Sequence, residues 1–385
     1  MTDTEFMRRA LRLARRGLGC TSPNPTVGAL LVQRGRIIGR GWHRRAGQPH
    51  AEIEALRDAA RRGHDARGAT LYVTLEPCST HGRTPPCTDA ILAAGIRRVV
   101  AGATDPNPRH AGRGFALLRR AGVEVIEGVL AEECAALNEP FNHWIVHRTP
   151  FVTVKAAMTL DGKIATARGE SKWITGPAAR AHAMKLRFAA DAVLVGINTI
   201  LADDPSLTVR SPAPPDGGRV LKPVRRIVLD ALARTPLTAR VVSDAHRALT
   251  TIVVSERAPQ RRVAALSRHV RVLTAPLTPP AHATAHPPRI DLRWLLERLG
   301  AEEVTSLLVE GGGEVNASFL FSGLAHRVAF YYAPKILGGR DARKAVAGPG
   351  ARDWKEILPL RQIRWRRLGE DLLLTARLDA PAAAV

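Results

Sequence analysis

The chain has 385 residues, too many for one typical domain, and its 45% apolar content is that of a soluble globular protein able to build two buried cores. No apolar run approaches the roughly 20 residues needed to cross a bilayer, which excludes a membrane-spanning helix. The net charge of +22, from 57 basic and 35 acidic residues, attracts nucleic acid, acidic membranes or phosphorylated small molecules alike, and its arginines form no long basic block that would choose among them.

In chain order, Phe6, Ala10, Leu13 and Ala14 recur at helical spacing, so the Arg-rich start reads as a first domain helix rather than a transit peptide, which Asp3 and Glu5 also oppose. Val27–Val32 and Arg36–Gly39 form a strand pair around a turn at Gly35, and His50–Arg62 forms a helix stopped by Gly63. Leu71–Leu75 is a strand, Thr88–Ala94 a helix, and Arg98–Gly102 and Val123–Ile126 two further strands. One helix over Ala131–His147 closes the unit, and Thr149-Pro150 is the boundary, giving domains 1–149 and 150–385. A second α/β series follows, with strands at Phe151–Ala157, Ala192–Val195, Arg226–Leu229, Thr251–Val254 and Leu307–Val309. Two Pro-rich stretches, Ser211–Pro223 and Thr274–Pro288, read as surface loops.

His50-Ala51-Glu52, Pro77-Cys78 and Pro86-Cys87 carry the sharpest chemistry. A hydrolytic deaminase makes hydroxide at neutral pH with a zinc ion bearing three protein ligands and one open position, and His50, Cys78 and Cys87 supply that number. Glu52, a non-ligand, suits the proton shuttle between attacking water and leaving ammonia. Zinc deaminases carry H-x-E…P-C-x-x-C, whereas here nine positions separate the cysteines. Taken singly, the His reads as a cap and each Cys as a small core residue; the combination favours zinc. Cys20 and Cys134 fall outside the pattern and read as structural, and four cysteines in so long a chain point to a reducing cytoplasm rather than a disulfide scaffold.

The second half is less explicit. Glu310-Gly311-Gly312-Gly313-Glu314 follows a strand and opens a helix through Val315–Phe321, where glycines and a helix N-terminus suit a phosphate. The spacing is not G-x-G-x-x-G, and a plain tight turn explains it equally well.

The segment Glu76-Pro77-Cys78-Ser79-Thr80-His81-Gly82-Arg83-Thr84-Pro85-Pro86-Cys87, with Pro23–Gly28 before it and Asp105-Pro106-Asn107-Pro108 after it, closely resembles the bifunctional riboflavin-biosynthesis deaminase/reductase family. Lys155–Lys163, Gly169–Thr175 and Leu201–Pro205 resemble the reductase half of the same family, so the resemblance spans nearly the whole chain in order. It implies an N-terminal cytidine-deaminase-like α/β/α domain followed by a dihydrofolate-reductase-like α/β domain. The implied reactions are zinc-dependent deamination of a diaminopyrimidinone ribosylamino phosphate and NADPH-dependent reduction of its ribosylamino group to ribitylamino.

By the same resemblance Asn24 and His43 contact the base region, Arg83 holds the phosphate, and Asp105 and Asn107 line that pocket. Ala157, Trp173, Thr199, Asp203 and the run Gly312, Gly313, Glu314, Val315, Asn316, Ala317 and Ser318 meet the nucleotide. Ser171, Arg187, Leu207, Arg210 and Glu310 meet the substrate, with Arg187 and Arg210 suited to phosphate. Asp203, Glu310 and Lys155 are candidates for polar assistance at the ring-opening carbon. Thr80 stands where the family pattern has His, His110 where an apolar residue is usual, and Ala231 where a cofactor-contacting Ser is expected.

The expected partners are a phosphorylated small molecule and further copies of the chain as a homo-oligomer, with no nucleic acid and no membrane. A nucleic-acid deaminase is the competing enzyme reading, opposed by an aromatic content of only 4% and by the reductase-like half. A non-catalytic zinc-stabilised binding protein leaves Glu52 unexplained.

Overall fold

Thr2 caps the first helix, α1 (Asp3–Ala14), reciprocally: its hydroxyl accepts from the Glu5 backbone and Glu5 accepts from the Thr2 backbone. The structure, a computed structural model, describes residues 1–81, 85–209, 223–278 and 289–378, and the chain divides into two units, Met1–Thr149 and Pro150–Val385. Among the described residues no helix is long and apolar enough to cross a membrane.

In the first unit, Arg34 (φ 48°) and Gly35 (φ 75°) turn β1 (Gly28–Gln33) into β2 (Arg36–Trp42) with the positive φ pair that suits a two-residue hairpin. Then come α2 (Ala51–Arg61), β3 (Thr70–Leu75), α3 (Cys87–Ala93), β4 (Arg98–Ala103), α4 (Arg113–Arg120), β5 (Glu124–Ile126), α5 (Ala131–Leu137) and α6 (Glu139–His147). The sheet order is β2-β1-β3-β4-β5, antiparallel at β1 and parallel from β3 to β5. Strand alternation sorts the side chains into two layers. Ala29, Leu31 and Val73 meet Ala55, Ile91 and Phe115 of α2, α3 and α4, while Leu30 and Val100 meet Met7, Leu11 and Cys134 of α1 and α5.

The single helix expected over 131–147 is two helices. Pro140 lacks the N–H that a continuous helix needs and its ring clashes with the preceding turn, so it starts α6 instead. The break places buried Asn138 where its amide exchanges two hydrogen bonds with the Thr26 backbone, at 2.7 and 3.0 Å. Helix α4 had no counterpart among the expected elements.

The second unit contains β6 (Phe151–Thr159), β7 (Lys163–Ala165), α7 (Pro177–Ala189), β8 (Ala192–Gly196), α8 (Ile197–Asp203), β9 (Arg225–Leu229), α9 (Arg240–Ser243) and β10 (Thr250–Ser255). Then follow α10 (Gln260–Ser267), β11 (Arg271–Ala275), β12 (Leu277–Thr278), β13 (Arg289–Ile290), α11 (Leu292–Ala301), β14 (Ser306–Val309), α12 (Gly313–Phe321), β15 (Arg327–Ala333), β16 (Arg343–Lys344), β17 (Leu360–Leu368) and β18 (Asp371–Leu378). Nine strands form one sheet, β11-β10-β9-β8-β14-β6-β15-β18-β17, parallel as far as β15 and closed by the antiparallel β18 and β17. The carboxyl ends of β9, β8, β14 and β6 therefore open on one side, where an open α/β sheet takes its ligands. Behind them Arg226, fully buried on β9, donates to both oxygens of Asp244 (2.7 and 2.8 Å) and to the Ser206 carbonyl (2.9 Å), fixing the chain that follows α8.

Helix α2 is seated on β2 because β2 carries glycine at both crossing points. A Cβ on Gly41 would overlap the Ala51 carbonyl and the Ala55 nitrogen, and one on Gly39 the Ala55 carbonyl. Gly41→Ala should therefore lift the first turn of α2, lowering stability by roughly 1–3 kcal/mol, the usual cost of overpacking, and weakening zinc binding. Urea denaturation and zinc titration check this; two unchanged values would show that the seat is not tight.

Candidate active sites

Three donors converge in the first unit. His50 sits at the N-cap of α2, Cys78 follows β3 after two residues, and Cys87 is the first residue of α3. His50 Nδ1 lies 3.3 Å from Cys87 Sγ and 3.5 Å from Cys78 Sγ, and all three donor atoms lie within 4.8 Å of one another. Hydrogen bonding from Cys87, reinforced by His50, pulls the Cys78 thiol down to about 4, and Cys78 pushes Cys87 up in turn. Two thiols this close oppose each other's ionisation, an opposition that a bound dication relieves. One imidazole and two thiols around a common point fit zinc with a fourth position open.

Glu52, in the first turn of the same helix, is 4% exposed, and burial pushes its pKa up to about 7. A carboxyl balanced near neutrality both gives and takes a proton readily. His43 is also buried, and burial lowers its pKa. Since the Pro49 carbonyl can only accept, His43 Nδ1 donates to it (3.1 Å), leaving Nε2 to accept from the Asn24 amide at 3.2 Å. The His43 ring meets that of His50 edge-on, with centroids 5.2 Å apart, so Asn24 and His43 lie beside the metal-type donors.

Asp105 and Asn107 occupy the loop between β4 and α4, where burial raises the Asp105 pKa and its carboxylate accepts from the Asn107 backbone at 2.9 Å. Thr80 and His110, both departures from the family pattern, meet each other: Oγ1 and Nδ1 are 3.3 Å apart. Arg83 lies outside the described residues. Cys134 is buried in the core facing α1. The sequence reading passed over Glu76, whose buried carboxylate accepts three backbone N–H groups; an acid directly preceding Pro-Cys was the available signal.

In the second unit a crevice opens at the strand ends. Of the expected nucleotide residues, Ala157, Trp173, Thr199, Asp203, Gly312, Gly313, Glu314 and Val315 line it. Asn316, Ala317 and Ser318 are not among its lining: Asn316 is buried with its amide on the Ala345 carbonyl (2.8 Å), Ala317 is buried, and Ser318 Oγ turns back to the Glu314 carbonyl. A helix presents only part of its circumference to a ligand, which a run of consecutive residues ignores. Ala231 packs on the core and its carbonyl accepts from Ser255 Oγ at 2.7 Å.

Ser171, Lys155, Arg187, Leu207 and Glu310 also line the crevice, and Arg210 lies outside the described residues. Arg187 grips Glu310 with two donors, Nε at 3.2 Å and Nη2 at 2.7 Å, and gives Nη1 to the Thr208 carbonyl. Two of its five N–H groups remain for a ligand. Asp203 receives Ser171 Oγ and Lys172 Nζ, each at 3.3 Å. Lys172, Arg180, Arg240, Arg343 and Lys344 also line the crevice and were not singled out in the sequence, where a lone basic residue looks like any solvated one.

These two sites define a zinc deaminase unit joined to a reductase unit. Residues 1–103 match the cytidine and deoxycytidylate deaminase zinc-binding region, and residues 150–374 match the RibD C-terminal domain. The chain is 45% identical over 381 residues to the riboflavin biosynthesis protein RibD of Actinobacillus pleuropneumoniae, covering 99% of this chain and 96% of that one. Acinetobacter baumannii RibD (form 1) superposes with a TM-score of 0.83 at 36% identity, covering 98% of this chain and 99% of the other. A Thermotoga maritima diaminohydroxyphosphoribosylaminopyrimidine deaminase/5-amino-6-(5-phosphoribosylamino)uracil reductase gives a TM-score of 0.77 at 36% identity, with the same coverage of each. The chain belongs to the RibD family of riboflavin biosynthesis, zinc- and NADPH-dependent deaminase/reductases with a cytidine-deaminase-like unit followed by a dihydrofolate-reductase-like unit.

The Arg187–Glu310 pair is nearly dry, with side chains 9% and 11% exposed. Burial works to raise the Glu310 pKa, but Arg187 and Lys155 outweigh it and hold it below its ordinary 4.5. The ionised pair thus stabilises the fold above that pH, and its contribution fades as pH falls through the depressed value. Arg187→Met leaves a buried carboxylate with only Lys155 nearby, and should cost roughly 3–5 kcal/mol at pH 7. That carboxyl then titrates above its unfolded value, so the deficit should shrink on acidification. Urea melts of both proteins at neutral and mildly acidic pH test this, and a deficit independent of pH would contradict it.

Proposed function

We propose that residues 1–149 convert 2,5-diamino-6-(5-phosphoribosylamino)pyrimidin-4(3H)-one to 5-amino-6-(5-phosphoribosylamino)uracil, and that residues 150–385 reduce the latter to the ribitylamino product. Each unit on this reading owns a complete site, and the convergence of His50, Cys78, Cys87 and Glu52 carries the first half of it. A zinc ion held by His50, Cys78 and Cys87 supplies Lewis acidity toward water at neutral pH. Glu52 takes a proton from the attacking water and delivers it to the amino group that leaves as ammonia, a role that a buried carboxyl near 7 performs in both directions. Asn24 and His43, mutually hydrogen-bonded beside His50, hold the pyrimidine edge, and Asp105 and Asn107 approach from the facing loop. Arg83 is assigned the phosphate.

In the second unit the nucleotide held in the crevice would be NADPH, the source of hydride for the sugar carbon that opens. The Gly312–Val315 turn and Thr199 hold the nucleotide, with Ala157 and Trp173 beside them. Arg187 and Arg210 hold the substrate phosphate, Ser171 and Leu207 shape its pocket, and Lys155, Asp203 and Glu310 provide polar assistance at the reacting carbon. The reading also places the enzyme in the reducing cytoplasm, where its four free cysteines stay reduced, and as a homo-oligomer acting on a phosphorylated small molecule, with neither nucleic acid nor membrane as partner. Incubating the purified chain with the diaminopyrimidinone, with and without NADPH, and identifying the products is the direct test. No deaminated product without NADPH, or no reduced product with it, would refute the corresponding half.

Purified protein should hold about one zinc per chain, and Cys78→Ser or Cys87→Ser should lose it, as a three-ligand site requires. Glu52→Gln should keep the metal but deaminate at least ~100-fold more slowly. Metal analysis and ammonia release measure both; full zinc in the Ser variants would dismiss the ligand set, and wild-type deamination by Glu52→Gln the shuttle.

Asp203→Asn and Glu310→Gln should each slow reduction by about 100-fold or more, leaving zinc content and deamination near wild type, so that the ribosylaminouracil phosphate accumulates. Separate assays of the two half-reactions decide this. Parallel loss of deamination in both folded variants would contradict two self-contained sites.

A further inference from the structure

Glu76 is the first residue after β3 and lies two positions before Cys78, yet its carboxylate faces a different part of the chain. It is 5% exposed, and its hydrogen bonds run to backbone N–H groups. Oε2 accepts from Asp105 N at 3.1 Å and from Gly112 N at 2.9 Å, while Oε1 accepts from Gly114 N at 2.8 Å. One oxygen therefore holds both ends of the loop 105–112, and the other holds the first turn of α4. Both oxygens thus serve backbone donors, and the partial positive charge at the N-terminus of α4 complements a carboxylate side chain placed there.

The clamp is tight at its base. The Glu76 backbone N–H donates to the Ala103 carbonyl at 2.8 Å, extending the β3–β4 ladder, so the strand leading to Cys78 and the loop leaving β4 move as one body. A Cβ on Gly114 would overlap the Pro77 carbonyl and stand 3.1 Å from Glu76 Oε1, so α4 reaches the carboxylate only through glycine. Inside the loop, Asp105 accepts from Asn107 N and Asn107 Oδ1 accepts from Arg109 N, which orders the segment that Glu76 closes. Thr80, on the chain past Cys78, touches His110 on the same loop.

We propose that Glu76 is a positioning residue for deamination, its buried carboxylate fixing the loop 105–112 against the metal-binding segment and thereby setting KM for the pyrimidine phosphate. This rests on the reading that Asp105 and Asn107 contact that substrate. Glu76 touches neither the substrate nor the metal, and acts through the backbone it holds.

The test uses the full chain with zinc bound. Glu76→Gln sets an amide N–H against at least one backbone N–H, and the deamination KM should rise about tenfold or more, the scale of a buried donor left unpaired. Zinc content and kcat should stay near wild type, and amide exchange at Asp105, Gly112 and Gly114 should accelerate. Gly114→Ala, which keeps the carboxylate but displaces α4, should give the same pattern. Reduction of deaminated intermediate supplied directly should be unchanged in both variants. A fall in zinc and kcat together with unchanged KM would show a merely structural role and overturn the proposal, as would unaltered KM and amide exchange. Asn107→Ala separates the two layers: if it raises KM while Glu76→Gln does not, the clamp fails alone, and if it too leaves KM unchanged, the substrate-contact reading fails and the proposal with it.

Discussion

Where α2 crosses β2 the two backbones touch, and that contact governs the first site. Neither Gly39 nor Gly41 leaves room for a Cβ against the Ala51 and Ala55 backbone. The start of the helix, with His50 at its cap and Glu52 just inside, is thereby held against the sheet in which β3, one strand beyond β1, leads to Cys78. Metal ligation needs donor atoms placed within a few tenths of an ångström. A rigid helix-on-strand seat provides this where a flexible connection could not, and the short β3-to-α3 segment needs only to close the remaining side.

Two buried carboxylates in this chain face opposite electrostatic settings. Glu52 sits buried beside His50 and the two thiols, and desolvation dominates and pushes its pKa up to about 7. Glu310 is less fully enclosed, and Arg187 and Lys155 overcome its desolvation and hold its pKa down. The first environment makes a group that exchanges protons, the second a fixed negative charge that orients cations. This difference matches the two chemistries, since hydrolytic exchange of an amine for oxygen moves protons repeatedly, while hydride transfer needs a polarised, well-oriented acceptor.

The charge of +22 acquires a different meaning in the folded chain. Many arginines are spent internally: Arg226 is buried on Asp244, Arg98 bridges Asp3 and Glu124, and Glu302 alone engages Arg225, Arg271 and Arg298. Others stack on aromatic faces, as Arg16 and Arg44 do on Trp42 and Arg180 on Trp173. Guanidinium serves such sites because it is planar, multiply donating and weakly hydrated. Further cations, Lys155, Arg187, Arg343 and Lys344 among them, line the reductase crevice and give it a basic wall of the kind a nucleotide's phosphates require.

Sequence by itself determined the parts whose signal is local. The strands of the parallel core were legible because each is a short apolar run between glycines or polar turns, and the metal-type site because His-x-Glu and two Pro-Cys pairs are compact motifs of unusual residues. Joined to the family resemblance, those motifs also carried the bifunctional reading. Sequence did not determine the break at Asn138, where the backbone of distant Thr26 captures the side chain. Nor did it reveal β15, which pairs with β6 more than a hundred residues earlier, or the β17–β18 hairpin that joins the sheet only through β15. Tertiary structure alone decided that Arg187 is bound to Glu310, that Asn316 and Ala317 turn into the core, and that Glu76 ties down the loop opposite the metal-binding segment. All three depend on which side of an element faces which neighbour, a relation between residues far apart in sequence that exists only once the layers have packed.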